Sequence, residues 1–208
     1  MVQTAVKQRA DATRNRERIM AAAREVLLEY GADAPLDEVA RRAGVGNATV
    51  YRHFADRQEL AIQVAYSVMD RIADRAERLL AEEPDPFDAL RAFVHEAADE
   101  RVGALCPMLV ARFGQGDPRL EEGRVRLHDG VARLMEAARR SGRLRDDIDV
   151  GDLMVAISQL TRPLPGSHCD MGRFIHRHLQ LFVDGLEAPA RSVLPGSSVT
   201  LDDLRGHH

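Results

Sequence analysis

The stretch from residue 36 to 60 constrains the fold of this chain more than any other part of the sequence. It begins with apolar residues at spacings of three and four, which share one face of a short helix: Leu36, Val39, Ala40 and Ala43. Gly44 follows where that helix has to end, and glycine readily adopts the positive φ of a helix C-terminal turn. A second short helix over residues 47–54 would bury Val50 and Phe54. The stretch therefore predicts two helices joined by a tight turn, a helix-turn-helix.

The second of these helices would turn a polar, aromatic and cationic face away from the core: Thr49, Tyr51, Arg52 and His53. Hydroxyl and guanidinium groups donate hydrogen bonds to phosphate oxygens, and the second helix of a helix-turn-helix enters the DNA major groove. We therefore expect this face to contact DNA. The alternative is that the helix pair is purely structural and that Tyr51 belongs to the core.

The distribution of charge agrees with a local DNA-contacting region. The whole chain has a net charge of −4, which argues against a surface coated with nucleic-acid-binding cations. Basic residues exceed acidic ones by five to two over residues 7–18, and by four to one over residues 41–57. Cationic charge is therefore concentrated around the predicted helix-turn-helix, although charged runs often belong simply to solvated faces.

Composition predicts an all-α chain. Ala and Leu dominate, aromatic residues make up only 4% of the 208 residues, and Trp is absent. No signal-peptide pattern or apolar run of about 18 residues occurs, so we expect a cytoplasmic protein. The two cysteines, Cys106 and Cys169, lie far apart, which favours reduced thiols. No catalytic pairing stands out, so an enzyme is not expected.

Helix boundaries are marked along the chain by capping residues. Asp56 and Glu59 have capping-box spacing, which predicts a long helix that continues to about residue 81. Asp85-Pro86 and Asp117-Pro118 each place a carboxylate at a helix start and a proline in the first turn. A preceding first helix is expected from about Thr13, and a last one over residues 169–186.

We predict four segments from these patterns. They are a flexible N-terminal arm over 1–12, a helix-turn-helix DNA-binding domain over 13–57, a helical effector-binding and dimerisation domain over 58–186, and a flexible C-terminal tail over 187–208. The helices around 149–161 and 169–186 are the most apolar, so two from each of two copies could pack as a four-helix bundle.

The sequence resembles the TetR family of bacterial transcriptional regulators. The residues that carry the resemblance are Ile19 through Tyr30-Gly31, the run LDEVARRAGVGNATVYRHF, and Leu60. The resemblance implies a three-helix DNA-binding head, a connecting fourth helix and a C-terminal ligand-binding domain. It also implies a homodimer on double-stranded operator DNA, most often a repressor that an unknown small-molecule effector releases.

The resemblance also implies which residues contact DNA: Asn47, Ala48, Thr49, Tyr51, Arg52, His53 and Arg57. The hydroxyls of Thr49 and Tyr51 suit phosphate oxygens, and Arg57 stands where the family usually has lysine. Asn47 and Ala48 would reach base edges, since asparagine can pair with adenine and an alanine methyl can touch a thymine methyl.

No cofactor or metal site is predicted. His176 and His178 are two residues apart and lie on different faces of a helix, and His168-Cys169 is more simply a loop histidine beside a buried thiol. Large or adaptable apolar residues, with one histidine, are candidates for lining an effector cavity: Phe93, Met108, Phe113, His128, Met135 and Met154. His95 is a further polar candidate. For each apolar candidate the alternative is plain core. The second function considered is a helical small-molecule-binding protein that has lost DNA binding.

Overall fold

A computed structural model describes residues 2–113, 116–162, 171–201 and 203 of the chain. Its helices are α1 (Val2–Tyr30), α2 (Leu36–Ala43), α3 (Asn47–His53), α4 (Arg57–Glu82), α5 (Pro86–Asp99), α6 (Val102–Phe113), α7 (Pro118–Arg140), α8 (Val150–Leu160) and α9 (Met171–Leu186). Within these ranges the only β pairing is an isolated bridge between Leu144 and Glu187, so the predicted all-α fold is confirmed. None of the described helices is long and apolar enough to cross a membrane.

Two helix boundaries differ from the sequence prediction. Helix α1 begins at Val2 rather than near Thr13, because residues 2–12 contain neither glycine nor proline and are rich in good helix formers. The proline within the apolar stretch 105–113 predicts an interruption at Pro107, but helix α6 runs through it without a break. Leu105 and Leu109, each 1% exposed, anchor α6 on both sides of that proline, and this burial offsets the backbone hydrogen bond that proline removes.

The chain divides into two compact units. The first comprises Met1–Ser67 and Leu105–Leu120, and the second comprises Val68–Ala104 and Glu121–His208. The segment between 105 and 120, which we assigned to the effector domain, thus forms one compact unit with the N-terminal helices. The predicted domain boundaries and the flexibility assigned to the two ends stay predictions.

In the first unit α1 packs on α2, and α2 packs on α3. Apolar side chains from these helices and from the start of α4 form its core: Ile19, Ala23, Val26, Val39, Ala40, Val50, Phe54 and Leu60. Helical spacing along α1 predicts that Tyr30 belongs to this core as well, but its side chain is 49% exposed. It lies at the end of α1, where the guanidinium carbon of Arg42 is 6.0 Å from its ring centre.

In the second unit α5, α8 and α9 pack on one another. The predicted helix starts are confirmed there: the carboxylate of Asp85 accepts the amides of Phe87 and Asp88 at 2.8 and 3.1 Å. Asp149 and Asp152 cap α8 reciprocally in a capping box. Within this unit Arg126 of α7 forms ion pairs with Asp70 and Asp74 of α4.

The chain after α9 returns to the second unit and packs against the start of α8. The buried guanidinium of Arg145 donates to the carbonyls of Gly185 and Ser192 at 3.1 and 2.9 Å. The amide of Val199 donates to Asp152 Oδ2 at 3.1 Å. A Cβ on Gly151 would lie 2.2 Å from the carbonyl oxygen of Val199, so only glycine permits this close approach.

We expect Gly151→Ala to destabilise the protein by about 1–3 kcal/mol, the usual cost of overpacking. The new methyl would push residues 199–200 away from α8, so urea denaturation should give a lower midpoint. Gly185→Ala is the matched control, since nothing lies within 4 Å of a Cβ at that position. Equal stability of the two variants would contradict the packing of the C-terminal segment.

Candidate nucleic-acid interface

The orientation of α3 is set by two apolar side chains that it buries. Val50 and Phe54 are each 1% exposed, while Tyr51 is 56% exposed. Around Tyr51 the structure brings together the predicted DNA-contacting residues: Asn47, Ala48 and Arg52 are exposed, and Thr49 and His53 are half-buried. Arg57 follows at the first residue of α4.

The turn before α3 depends on glycine. Gly44 ends α2 in the left-handed conformation, with φ 62° and ψ 39°. A Cβ at Gly44 would also lie 2.6 Å from a terminal nitrogen of Arg18, a nitrogen that is 3.4 Å from the Gly44 carbonyl oxygen. The amide of Val45 then bonds to the carbonyl of Ala40 at 3.0 Å. These contacts fix the angle at which α3 leaves α2.

Arg52 is held against its own helix by neutral acceptors. Its Nε donates to the Ala48 carbonyl at 3.3 Å, and a terminal nitrogen donates to Thr49 Oγ1 at 3.0 Å. The positive charge of Arg52 is not neutralised by these two partners. The interaction places a cation on the exposed side of α3 in a defined position.

Arg57 lies at the start of α4, beside a single acceptor. Asp56 caps that helix, since its Oδ1 accepts the amide of Glu59 at 2.8 Å. The Arg57 side chain is 43% exposed, and one of its terminal nitrogens is 3.7 Å from Asp33 Oδ1. A pair this long and exposed contributes little, so a phosphate could replace the carboxylate.

Much of the remaining basic charge near α3 is paired with acids. Arg41 and Arg42 both donate to the carboxylate of Glu38 at 2.7 Å, and Arg42 also contacts Glu29. Hydrogen bonds from these two guanidinium groups lower the pKa of Glu38 to about 2. The count of basic residues over 41–57 therefore overstates the cationic charge available to DNA.

Comparison with known proteins agrees with this geometry. Residues 19–64 match the family described as bacterial regulatory proteins of the tetR family, and residues 85–188, half of the chain, match the C-terminal domain of SbtR-like transcriptional regulators. An uncharacterised HTH-type transcriptional regulator of Mycobacterium tuberculosis is 30% identical over 155 residues, which are 69% of this chain and 78% of the relative.

The chain belongs to the TetR family. Solved structures of TetR-family regulators have the same fold. A TetR regulator from Streptomyces coelicolor is 33% identical with a TM-score of 0.66, over 84% of this chain and 99% of that one. A second from Mycobacterium vanbaalenii is 34% identical with a TM-score of 0.63, over 87% and 99%. The predicted family and its role in transcription regulation are confirmed, and membership of this non-enzymatic family confirms that the chain is not an enzyme.

In this TetR-family chain the start of α4 is tied to the start of α7 inside the first unit. Arg119 donates to both oxygens of Glu59, at 2.7 and 2.9 Å, and to both oxygens of Asp117, at 3.1 and 2.8 Å. Hydrogen bonds from Arg119 lower the pKa of Glu59 and that of Asp117. The sequence predicted that Glu59 completes a capping box, but its carboxylate is occupied by Arg119 and Gln63.

The predicted effector-site residues are dispersed. Phe93 and Met135 are fully buried and Met154 is 8% exposed, all in the second unit. The His128 side chain is 42% exposed and contacts Asp129. In the first unit, the Met108 sulfur is 3.9 Å from where a Gly31 Cβ would lie, and the side chain of Phe113 is outside the described part.

A groove of about 410 Å³ lies elsewhere in the second unit, between the α8–α9 pair and the chain that follows α9. Its lining includes Arg145, Leu153, Leu181 and Leu194. None of the predicted effector-site residues belongs to it. Those residues remain a prediction.

We expect Glu59→Gln and Arg119→Gln each to lower the free energy of unfolding, and their effects not to add. The coupling free energy should be only about 0.5–1 kcal/mol, because both side chains are partly exposed. The lowered pKa of Glu59 means that its contribution is present above the usual pKa of a glutamate and is lost as pH falls through the lowered value. A double-mutant cycle by urea denaturation at pH 7 measures the coupling. Strict additivity would show that the Arg119–Glu59 contact contributes nothing.

Proposed function

We propose that this TetR-family regulator is a repressor that binds operator DNA as a homodimer and is released by a small-molecule effector. The observation that carries the DNA-binding part is the exposed face of α3, bounded by Arg57 at the start of α4. Polar, aromatic and cationic groups converge there on a helix whose other face is buried. That arrangement suits insertion into a major groove.

Within this proposal the residues divide by what they contact. Asn47 and Ala48 occupy the first turn of α3 and read base edges, and Arg52 reaches either a base or a phosphate. The remaining four hold the phosphate backbone and fix the register of α3: Thr49, Tyr51, His53 and Arg57. The hydroxyl oxygen of Thr49 already accepts a hydrogen bond from Arg52. The hydroxyl can contact a phosphate either by donating its own hydrogen or after Arg52 has moved away.

The dimeric part of the proposal rests on exposed apolar side chains of α8 and α9. Val155 is 36% exposed, Phe174 is 50% exposed and Leu181 is 61% exposed. A second copy that presents the same faces would remove them from water through a two-fold, self-complementary interface. Two recognition helices would then read two half-sites.

Release by an effector is supported by the composition of the first unit. Helix α6 from Leu105 onward belongs to the same compact unit as the DNA-contacting helices, and Met108 reaches the corner at Gly31, where α1 ends. A ligand that displaces α6 would therefore disturb the packing of α1 and α2. An apolar molecule suits the proposed lining, because Phe93, Met135 and Met154 present carbon and sulfur atoms.

We expect Arg57→Gln and Tyr51→Phe to weaken binding to the intergenic DNA upstream of the gene. Loss of one phosphate hydrogen bond should cost about 0.5–1.5 kcal/mol on every sequence alike. Arg57→Gln should also reduce the slope of log K against log salt by about 1 per subunit. Fluorescence anisotropy with a labelled duplex over a series of salt concentrations measures both quantities.

The matched control for these variants is Arg140→Gln, which removes an exposed arginine at the end of α7. It makes the same charge change in the second unit and should leave binding almost unchanged. Equal losses for Arg57→Gln and Arg140→Gln would show that overall charge alone governs binding. Absence of salt-dependent binding to any duplex would contradict the proposed function and favour a protein that has lost DNA binding.

We expect Leu181→Glu to shift the protein from dimer to monomer at micromolar concentration, because a carboxylate would have to be buried in the proposed interface. Val193→Glu is the control, since Val193 is 91% exposed on the segment after α9. Sedimentation velocity measures the oligomeric state. A dimer that persists in Leu181→Glu would place the interface elsewhere.

A further inference from the structure

A chain of polar side chains connects α5 to α9 in the second unit, apart from the DNA face, and it includes His95, the further polar candidate for the effector cavity. Asp99 Oδ1 is 3.0 Å from His176 Nε2, and the two Nδ1 atoms of His176 and His95 are 2.9 Å apart. His95 Nε2 is in turn 3.2 Å from Gln180 Oε1, and Gln180 Nε2 donates to Asp184 Oδ1 at 2.7 Å. Five side chains thus make four successive contacts.

The direction of three of these hydrogen bonds is fixed by chemistry. Because Gln180 donates its amide hydrogen to the Asp184 carboxylate, the Gln180 oxygen faces His95 and accepts a hydrogen from His95 Nε2. The Asp99 carboxylate can only accept, so His176 Nε2 also carries a hydrogen. In a neutral imidazole the other ring nitrogen then has a lone pair and no hydrogen.

Two neutral histidines would therefore place two lone pairs against each other. The ring centres are 5.1 Å apart with an angle of 25° between the planes. This separation exceeds the 2.9 Å between the Nδ1 atoms by about twice the distance from a ring centre to its own nitrogen. The rings therefore meet edge to edge, and the in-plane lone pairs of the two Nδ1 atoms point at each other.

No neutral rearrangement removes this conflict and keeps all four contacts. A 180° flip of either imidazole ring would replace both of its nitrogen contacts with C–H groups. Moving the hydrogen of His176 from Nε2 to Nδ1 turns its Nε2 lone pair toward the Asp99 carboxylate. Moving the hydrogen of His95 turns its Nε2 lone pair toward the Gln180 oxygen, and reversing that amide brings its oxygen against Asp184. The chain has a carboxylate at each end and four contacts between its members, so it needs four hydrogens. With both histidines neutral, the side chains supply only three.

We propose that the His95–His176 pair binds one proton in the folded protein, shared as an N–H⁺···N hydrogen bond between the two Nδ1 atoms. The fourth hydrogen satisfies every contact of the chain. One positive charge then lies between two carboxylates, Asp99 and Asp184. The charged hydrogen bond joins α5 to α9, so the packing of α9 depends on pH.

The other charged groups around the pair are engaged by different partners. Glu96 of α5 and Glu100, which follows the last residue of α5, bind arginines of α4, namely Arg71, Arg75 and Arg78. Arg91, one turn before His95 on α5, binds Asp88. On α8 the one charged residue is Asp152, whose carboxylate accepts the amides of Asp149 and Val199. On α9, His178 Nδ1 faces the Phe174 carbonyl, and Arg177 is exposed. The proton is thus assigned to the pair rather than to a neighbour.

A proton fits the pair better than a metal ion. Among the described residues, no group of three or more His, Cys, Asp or Glu side chains could hold a metal ion. The Nδ1 separation of 2.9 Å is the length of an ordinary N–H···N hydrogen bond. Two imidazoles that bind a metal at about 2.0–2.1 Å each in tetrahedral geometry have to stand further apart than that.

The sign of the pH dependence follows from where the proton binds. Above the usual pKa of histidine the two histidines of the unfolded chain are neutral, whereas the folded pair holds one proton, so stability falls as pH rises through the range in which the pair loses that proton. His95→Asn keeps a side-chain amide that can donate to His176 Nδ1 without an added proton, so this variant should lose the pH dependence of the pair.

The test is made on the full-length protein. Long-range ¹H–¹⁵N spectra of the imidazoles should show, at about pH 5.5, one shared proton between the Nδ1 atoms of His95 and His176, which disappears by about pH 8.5. Over the same range the unfolding equilibrium constant of the wild type should rise by roughly tenfold more than that of His95→Asn. His178→Asn, on an exposed histidine of α9 that is not part of this chain of side chains, should behave like the wild type.

Two results would overturn the proposal. Both Nδ1 atoms could give unprotonated signals throughout the range, with wild type and His95→Asn showing parallel stability profiles. Alternatively, Zn²⁺ added at pH 8.5 could move both Nδ1 signals and raise the melting temperature, which would make the pair a metal site. The spectra of the wild type decide the matter even if the variant fails to fold.

Discussion

The burial of Phe54 is the contact on which the DNA-facing surface depends. Phe54 follows the last residue of α3 and is 1% exposed, and its amide closes the helix by donating to Val50 at 2.9 Å. The guanidinium carbon of Arg16 lies 5.6 Å from the centre of its ring, so α1 also covers this anchor. With Val50 and Phe54 inward, the helical period leaves Tyr51 and Arg52 no orientation other than outward. The recognition surface is a consequence of core packing.

A second constraint joins the recognition region to a distant part of the chain. Arg119 binds Glu59, which lies about one helical turn after the cap Asp56. Arg119 and Glu59 are 60 positions apart in the sequence. The start of α4 is thereby fixed by the start of α7, inside one compact unit. A change in the position of residues 105–120 would therefore act on the start of α4, beside Arg57.

Local signals in the sequence predicted local structure well. Asp85 starts a helix as expected, and the spacing of apolar residues places Tyr51 outward and Val50 inward, because each feature depends on neighbours within one or two turns. What could not be predicted depends on residues far apart in sequence. The partner of Glu59, the exposure of Tyr30 and the pairing of Arg42 with Glu29 all depend on tertiary packing. The continuous α6 likewise depends on burial that offsets Pro107.

Pairing of charges also explains how a chain of net charge −4 can present a surface for DNA. On α2, the helix before the recognition helix, Arg41 and Arg42 have acidic partners, as Arg42 has in Glu29 and Glu38. Arg52 instead bonds neutral oxygens, and Asp33, the acid beside Arg57, is 3.7 Å away and itself 79% exposed. Cationic charge therefore remains where phosphates would approach and is cancelled on α2. Such a surface limits non-specific attraction to nucleic acid, and it leaves discrimination to the few side chains of α3 that reach the bases.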